Sequence, residues 1–178
     1  MTLADASLSD AERLDRLRLI RSDSVGPVTF GELVGHFGSA GAALEALPAL
    51  ARRSGRQIRV CPLADAEREI EKIAALGARL LVIGEPEYPA WLAAVDGAPP
   101  VISVQGDPAC LARPAVAVVG ARNASVAGRK FAMRIAADIG AAGFVVASGL
   151  ARGIDSAAHT AALPTGTISV FAGGLERP

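Results

Sequence analysis

The chain has 178 residues, 51% of them hydrophobic, with 18 Lys+Arg balancing 18 Asp+Glu. That length suits one large domain or two small ones with a real core, and the composition excludes disorder as the main state. Zero net charge speaks against a uniformly basic nucleic-acid binder, but the charge is uneven: residues 1–113 carry 12 basic and 15 acidic side chains, residues 114–178 carry 6 and 3.

Cys61 and Cys110 are the only cysteines and lie far apart. Neither a disulfide framework nor a zinc site is expected, and a reducing cytoplasm fits. The first nine residues lack the basic start of a signal peptide. No apolar run reaches the roughly 18 residues that a membrane helix needs.

In chain order, Ser9 to Glu12 forms an S-x-x-E capping box, and Leu14, Leu17 and Ile20 follow at helical spacing. Gly26 and Pro27 break that helix. Thr29 to Glu32 reads as a second box, with Phe30, Leu33, Val34 and Phe37 on one face. Gly38 ends this helix, Ser39 caps the next, and Pro48 is expected to end or bend it. A fourth helix is predicted from about 63 to 76, with Leu63, Ile70, Ile73 and Ala74 buried. Residues 25–30, Val-Gly-Pro-Val-Thr-Phe, invite a helix-hairpin-helix reading, in which backbone N–H groups face a phosphate. Val28 stands where that hairpin expects a second glycine, so a plain interhelical turn is the favoured reading. Arg52, Arg53, Arg56 and Arg59 read as a solvated basic loop, and His36 as structural.

Residues 79–83 are predicted as a strand, 84–89 as a turn, Trp91 and Leu92 as the start of a short helix, and 101–104 as a strand. The predicted division is a helical domain over 1–78, a transition over 79–113 and an α/β domain over 114–178. In that last part, 115–119 is a β-branched run expected of a strand buried on both faces. A helix follows over about 126–142, with Phe131, Ile135 and Ile139 at four-residue spacing. Then come a strand at 144–147, a helix at 154–162 and a strand at 167–172. Alternating strands and helices mean a parallel sheet of the doubly wound kind.

Ligands bind such sheets at the carboxyl ends of the strands. Two loops there each hold glycine and arginine: Gly120 with Arg122, and Gly149 with Arg152. Glycine permits close approach to a phosphate, and arginine grips one bidentately. Neither loop is a G-x-G-x-x-G fingerprint or a G-x-x-x-x-G-K-[ST] loop. The residues alone therefore indicate a phosphate-containing ligand. Arg152 has an alternative as a partner of Asp155. Asp155 reads as a helix-start group satisfying first-turn N–H groups, and His159, one turn on, as its possible partner. Arg129, Lys130 and Arg134 read as a solvated face that extends the positive surface. With seven aromatics in the chain, base stacking has no clear candidate. No catalytic pair, metal cluster or cofactor is expected.

The string from Ser148 to His159, SGLARGIDSAAH, closely resembles the signature of the bacterial DNA-processing protein A family (DprA/Smf). Val118 to Arg122 resembles that family's strand and glycine-arginine loop, and Gly173 to Pro178 its later G-G-L-D-R segment. Residues 84–89 and 99–107 resemble its linker pattern. The resemblance implies a sterile-alpha-motif-like helical domain followed by a Rossmann-like domain. It implies a recombination mediator rather than an enzyme, one that binds and protects single-stranded DNA and helps load the RecA recombinase during natural transformation. It also implies a homodimer in the full-length protein. The nucleic-acid-binding residues it implies are Gly120, Ala121, Arg122, Ser148, Gly149, Arg152 and Gly153. Ala121 stands where the family has Ser or Thr, which removes a hydroxyl contact. The family's sheet continues past three strands, so the sequence reads as truncated within it. The competing reading is a Rossmann-like nucleoside monophosphate phosphoribohydrolase, whose P-G-G-x-G-T-x-x-E motif the chain lacks.

Overall fold

A computed structural model describes residues 8–53, 55, 57–172 and 174–175. Arg56 of the basic run, and Gly173 and residues 176–178 of the last segment, lie outside the described residues. The chain divides into two compact units, at Gly106/Asp107.

The described residues of the first unit hold five helices and two paired strands: α1 (Asp10–Ile20), α2 (Pro27–Phe37), α3 (Ala40–Arg53), α4 (Leu63–Ala75), β1 (Arg79–Val82), the short α5 (Ala90–Ala93) and β2 (Val101–Val104). Only half of the first capping box forms. The Glu12 N–H donates to Ser9 Oγ at 3.2 Å, but the Glu12 carboxylate accepts from Arg16 Nε at 2.8 Å and from Ala40 N at 3.2 Å. It thus caps α3 instead of its own helix. The Thr29–Glu32 box does not form, because Pro27 takes the first helical position and α2 starts ahead of Thr29. Its C-cap Gly38 adopts φ 82°, the left-handed conformation that glycine supplies freely.

Pro48 neither ends α3 nor marks its boundary; the helix runs through it to Arg53. The burial of Ala43, Leu44, Leu47 and Ala51 along one face outweighs the lost backbone bond. In α4 the buried face is Ala66, Ile70 and Ile73, while Leu63 and Ala74 are exposed. His36 is exposed and meets Phe37 edge-on at 4.6 Å. Arg59 pairs with Asp65 at 2.6 Å.

β1 and β2 pair antiparallel, with Arg79 opposite Val104 and Val82 opposite Val101. Two arginines of α1 bind this hairpin to the helices. Arg13 donates to Leu80 O at 2.7 Å and pairs with Glu85, and Arg16 donates to Ile83 O at 2.8 Å. Tyr88 is buried in the turn and donates to Pro99 O at 2.6 Å. Burial pushes its phenol up to about 12.

The second unit holds α6 (Ala109–Ala112), β3 (Ala115–Ala117), α7 (Val126–Ala141), β4 (Val145–Ser148), α8 (Ile154–Ala162) and β5 (Thr167–Ser169). The three strands are parallel and lie in chain order, with Val116 opposite Val146 and Ala147 opposite Ile168. Right-handed crossovers between strands in chain order put both helices on one face. There Val146 packs with Ala136 and Ile139 of α7 and with Ala158 and Ala162 of α8. This is one winding of the expected parallel α/β sheet.

Three expectations fail here. The 115–119 run is not buried on both faces: β3 is an edge strand, Ala115 and Ala117 are exposed, and Val119 is 74% exposed. Nor does α7 bury Phe131. Its core face is Ala132, Ala136 and Gly140, one position along, and Phe131 is 65% exposed. Small residues win that face because α7 lies against α8, whose facing residues are themselves alanines. A Cβ on Gly140 would sit 2.8 Å from Thr165 Cβ. β5 stops at Ser169, short of the 172 expected. At the far end of the sheet, Arg113 donates to Thr165 O at 2.7 Å and Gly143 O at 3.0 Å. None of the described helices is long and apolar enough to cross a membrane.

Candidate functional site

The loops that leave β3 and β4 meet at the carboxyl ends of their strands, fastened by side chains of β4 and α8. Ser148, at the end of β4, is buried and donates its hydroxyl to Val118 O at 2.6 Å. Gly120 N donates to Asp155 Oδ1 at 3.3 Å, and Ile154 N donates to Ala121 O at 3.3 Å. Ser125 accepts from Gly128 N at 3.1 Å and caps α7.

Glycine gives room where these loops touch. Gly153 has φ 95°, and a Cβ there would sit 2.6 Å from Arg122 O and also press on Ala121 O. A Cβ on Gly120 would lie 2.7 Å from Ile154 Cγ1. A Cβ on Gly149 would come 3.2 Å from Asp155 Oδ2. Leu150 adopts φ 25°, unusual for a residue with a side chain. Such strain persists where surrounding contacts over-determine it, commonly at functional sites.

Asp155 is buried between the two loops. Its bond runs to Gly120 of the neighbouring loop rather than to its own first-turn N–H groups, and it does not pair with Arg152. His159 does not pair with it either. The His159 ring turns to β5, with Nδ1 2.7 Å from Thr167 Oγ1 and Nε2 3.4 Å from Ser169 Oγ. Thr167 Oγ1 spends its one proton on Val146 O at 2.8 Å. Burial pushes the His159 imidazole down, against the raising influence of Asp155 and of the Ser148 backbone.

The outer surface has the opposite character. Arg122 and Arg152 are exposed, and neither guanidinium has a hydrogen-bond or ion-pair partner among the described residues. The backbone N–H groups of Arg122 and Asn123, and of Leu150 to Gly153, are also without partners among them. Arg129 is committed to its own loop, donating to Ala124 O at 3.0 Å. The expected residues thus fall into two layers. Gly120, Ser148, Gly149 and Gly153 build the junction, Ala121 lends it a carbonyl, and Arg122 and Arg152 project from it. Asp155 is the residue that sequence reasoning misplaced. A helix-start carboxylate ordinarily serves its own helix, and no local signal shows that it spans to another loop. Free donors and two unpaired guanidinium groups around a strand-end junction form a surface suited to phosphate.

Comparison with known proteins gives the family. Residues 79–178 match the family described as DNA recombination-mediator protein A, and residues 10–72 match a DprA-like N-terminal HHH domain. The DNA processing protein DprA of Bacillus subtilis (strain 168) is 33% identical over 103 residues, 56% of this chain and 35% of that protein. The protein of the same name from Streptococcus pneumoniae (strain ATCC BAA-255 / R6) is 41% identical over 91 residues, 50% of this chain and 32% of that one. The chain spans about a third of the length of these curated relatives. The X-ray structure of DNA processing protein A (DprA) from Streptococcus pneumoniae shares the fold, with a TM-score of 0.58 at 24% identity, over 97% of this chain and 63% of that one.

Proposed function

The chain belongs to the DNA recombination-mediator protein A family, and from that premise we propose that it binds single-stranded DNA at the β3–β4 loop junction. In the whole protein this binding protects the strand and helps load a RecA recombinase during DNA uptake, in the cytoplasm and as a homodimer. The observation that carries the reading is the pair of exposed, unpartnered guanidinium groups, Arg122 and Arg152, on a junction rich in free backbone donors.

The role of each residue follows from its layer. Arg122 and Arg152 contact phosphate, as do N–H groups of the loops. Gly120, Gly149 and Gly153 let the two loops lie close enough for one strand to touch both. Ser148 and Asp155 are positioning residues. A reading as an acid–base enzyme finds less support, because Asp155 and His159 are both buried and already bonded to other groups.

Binding of a fluorescent oligo(dT) and of a duplex of the same length tests the reading. The single strand is expected to bind more tightly, and Arg122→Ala to weaken it about ten-fold. Equal affinity of Arg122→Ala and wild type would overturn the site.

A further inference from the structure

Phe131 is expected inside the protein and lies outside it. It stands on the exposed face of α7, in the turns that follow the Arg122 loop. Residues three and four apart share a helix face, so Phe131 has Ala127 on one side and Arg134 on the other. Lys130 lies next to it, one turn before Arg134. Neither Lys130 nor Arg134 has a side-chain partner among the described residues. Ala127 is too small to cover the ring. Helical side chains lean toward the helix N-terminus, which is the end of α7 that carries Arg122. Asp138, exposed one turn beyond Arg134, bounds the positive strip.

An isolated aromatic ring between unpaired cations matches the composition of single-strand binding surfaces. There cations follow the backbone while bases stack on rings. Lys130 and Arg134 are about 6 Å apart along the helix axis, a spacing that serves neighbouring phosphates of an extended strand. A packing role for Phe131 in this unit is already filled by Ala132, Ala136 and Gly140.

We infer that the outer face of α7 is a second subsite for single-stranded DNA, in which a base stacks on Phe131 while Lys130 and Arg134 hold the flanking phosphates. The inference rests on the DNA-binding reading above, and extends the strand's path from the β3–β4 junction along α7.

The test uses this chain with oligo(dT), with an abasic oligonucleotide of equal length, and with three variants at one position. Phe131→Ala and Phe131→Leu are both expected to weaken oligo(dT) binding on the order of ten-fold, and to leave abasic binding unchanged. Phe131→Trp, made with Trp91→Phe so that the new ring is the only tryptophan, is expected to retain affinity and lose fluorescence on oligo(dT) but not on the abasic strand. If Phe131→Leu binds like wild type, the ring is not stacking and the inference fails. It fails equally if the variants change self-association in sedimentation without a base-dependent loss, since the face then belongs to a second copy. If Arg122→Ala leaves oligo(dT) binding intact, the underlying reading is what fails. If Arg122→Ala weakens binding and every Phe131 variant is silent, only the subsite is lost.

Discussion

At the scale of single residues, the junction depends on atoms that are absent. Gly153 has positive φ and no room for a Cβ beside Arg122 O and Ala121 O. Gly153→Ala should therefore cost about 1–3 kcal/mol, read as a lower Tm, and should weaken DNA binding as well. An unchanged Tm would mean that the loops are not locked together there. His159 supplies a pH dependence whose sign is fixed by its environment. Its folded-state pKa lies below the ordinary 6.5, so below that pH the unfolded chain holds more protons. The stability that neutral His159 contributes is complete above about 6.5 and declines as pH falls toward its folded value. Urea unfolding at pH 7.5 and 5.5 should show a smaller acid loss in His159→Gln than in wild type. Equal losses would remove His159 as the cause.

Among the elements, what could be read from sequence was whatever depended on neighbours along the chain. The helix predicted over 154–162 forms from Ile154 to Ala162, and Ser9 and Ser39 accept from N–H groups of the helices they precede. The glycine and arginine of each loop were visible for the same reason. What could not be read depended on partners distant in the chain. The core face of α7 is one position away from its large residues because α8 presents alanines to it. β3 is exposed because it has a neighbour strand on one side only. Glu12 leaves its own cap for the start of α3, and Asp155 reaches Gly120, and neither choice is encoded locally.

Pro48 is the element-scale feature most open to test. A proline inside a helix removes one backbone bond and crowds the carbonyl four residues before it, at a cost near 3 kcal/mol. Pro48→Ala should therefore raise the Tm of the helical unit. A fall would show that the Pro48 ring contributes packing worth more than the bond. Gly140→Ala should act in the opposite direction, because a methyl group there meets Thr165. About 1–3 kcal/mol of destabilisation is expected.

For the molecule as a whole, the balanced charge divides at Gly106/Asp107. Residues 1–106 hold 11 basic and 14 acidic side chains, and residues 107–178 hold 7 and 4. In the second unit Arg113 and Arg129 are spent on backbone carbonyls, and Asp155 is buried. Arg122, Lys130, Arg134 and Arg152 remain as its free cations among the described residues. A zero total therefore conceals a unit with an outward positive surface. The central claim is that this surface holds single-stranded DNA by its phosphates at the junction of two loops. Each phosphate contact to a single strand contributes about 0.7 to the slope of log K against log salt. The most direct measurement is that slope for oligo(dT), in wild type and in Arg122→Ala/Arg152→Ala. The account predicts that the double variant binds more weakly, with a slope shallower by about 1.4. An unchanged slope and affinity would contradict it.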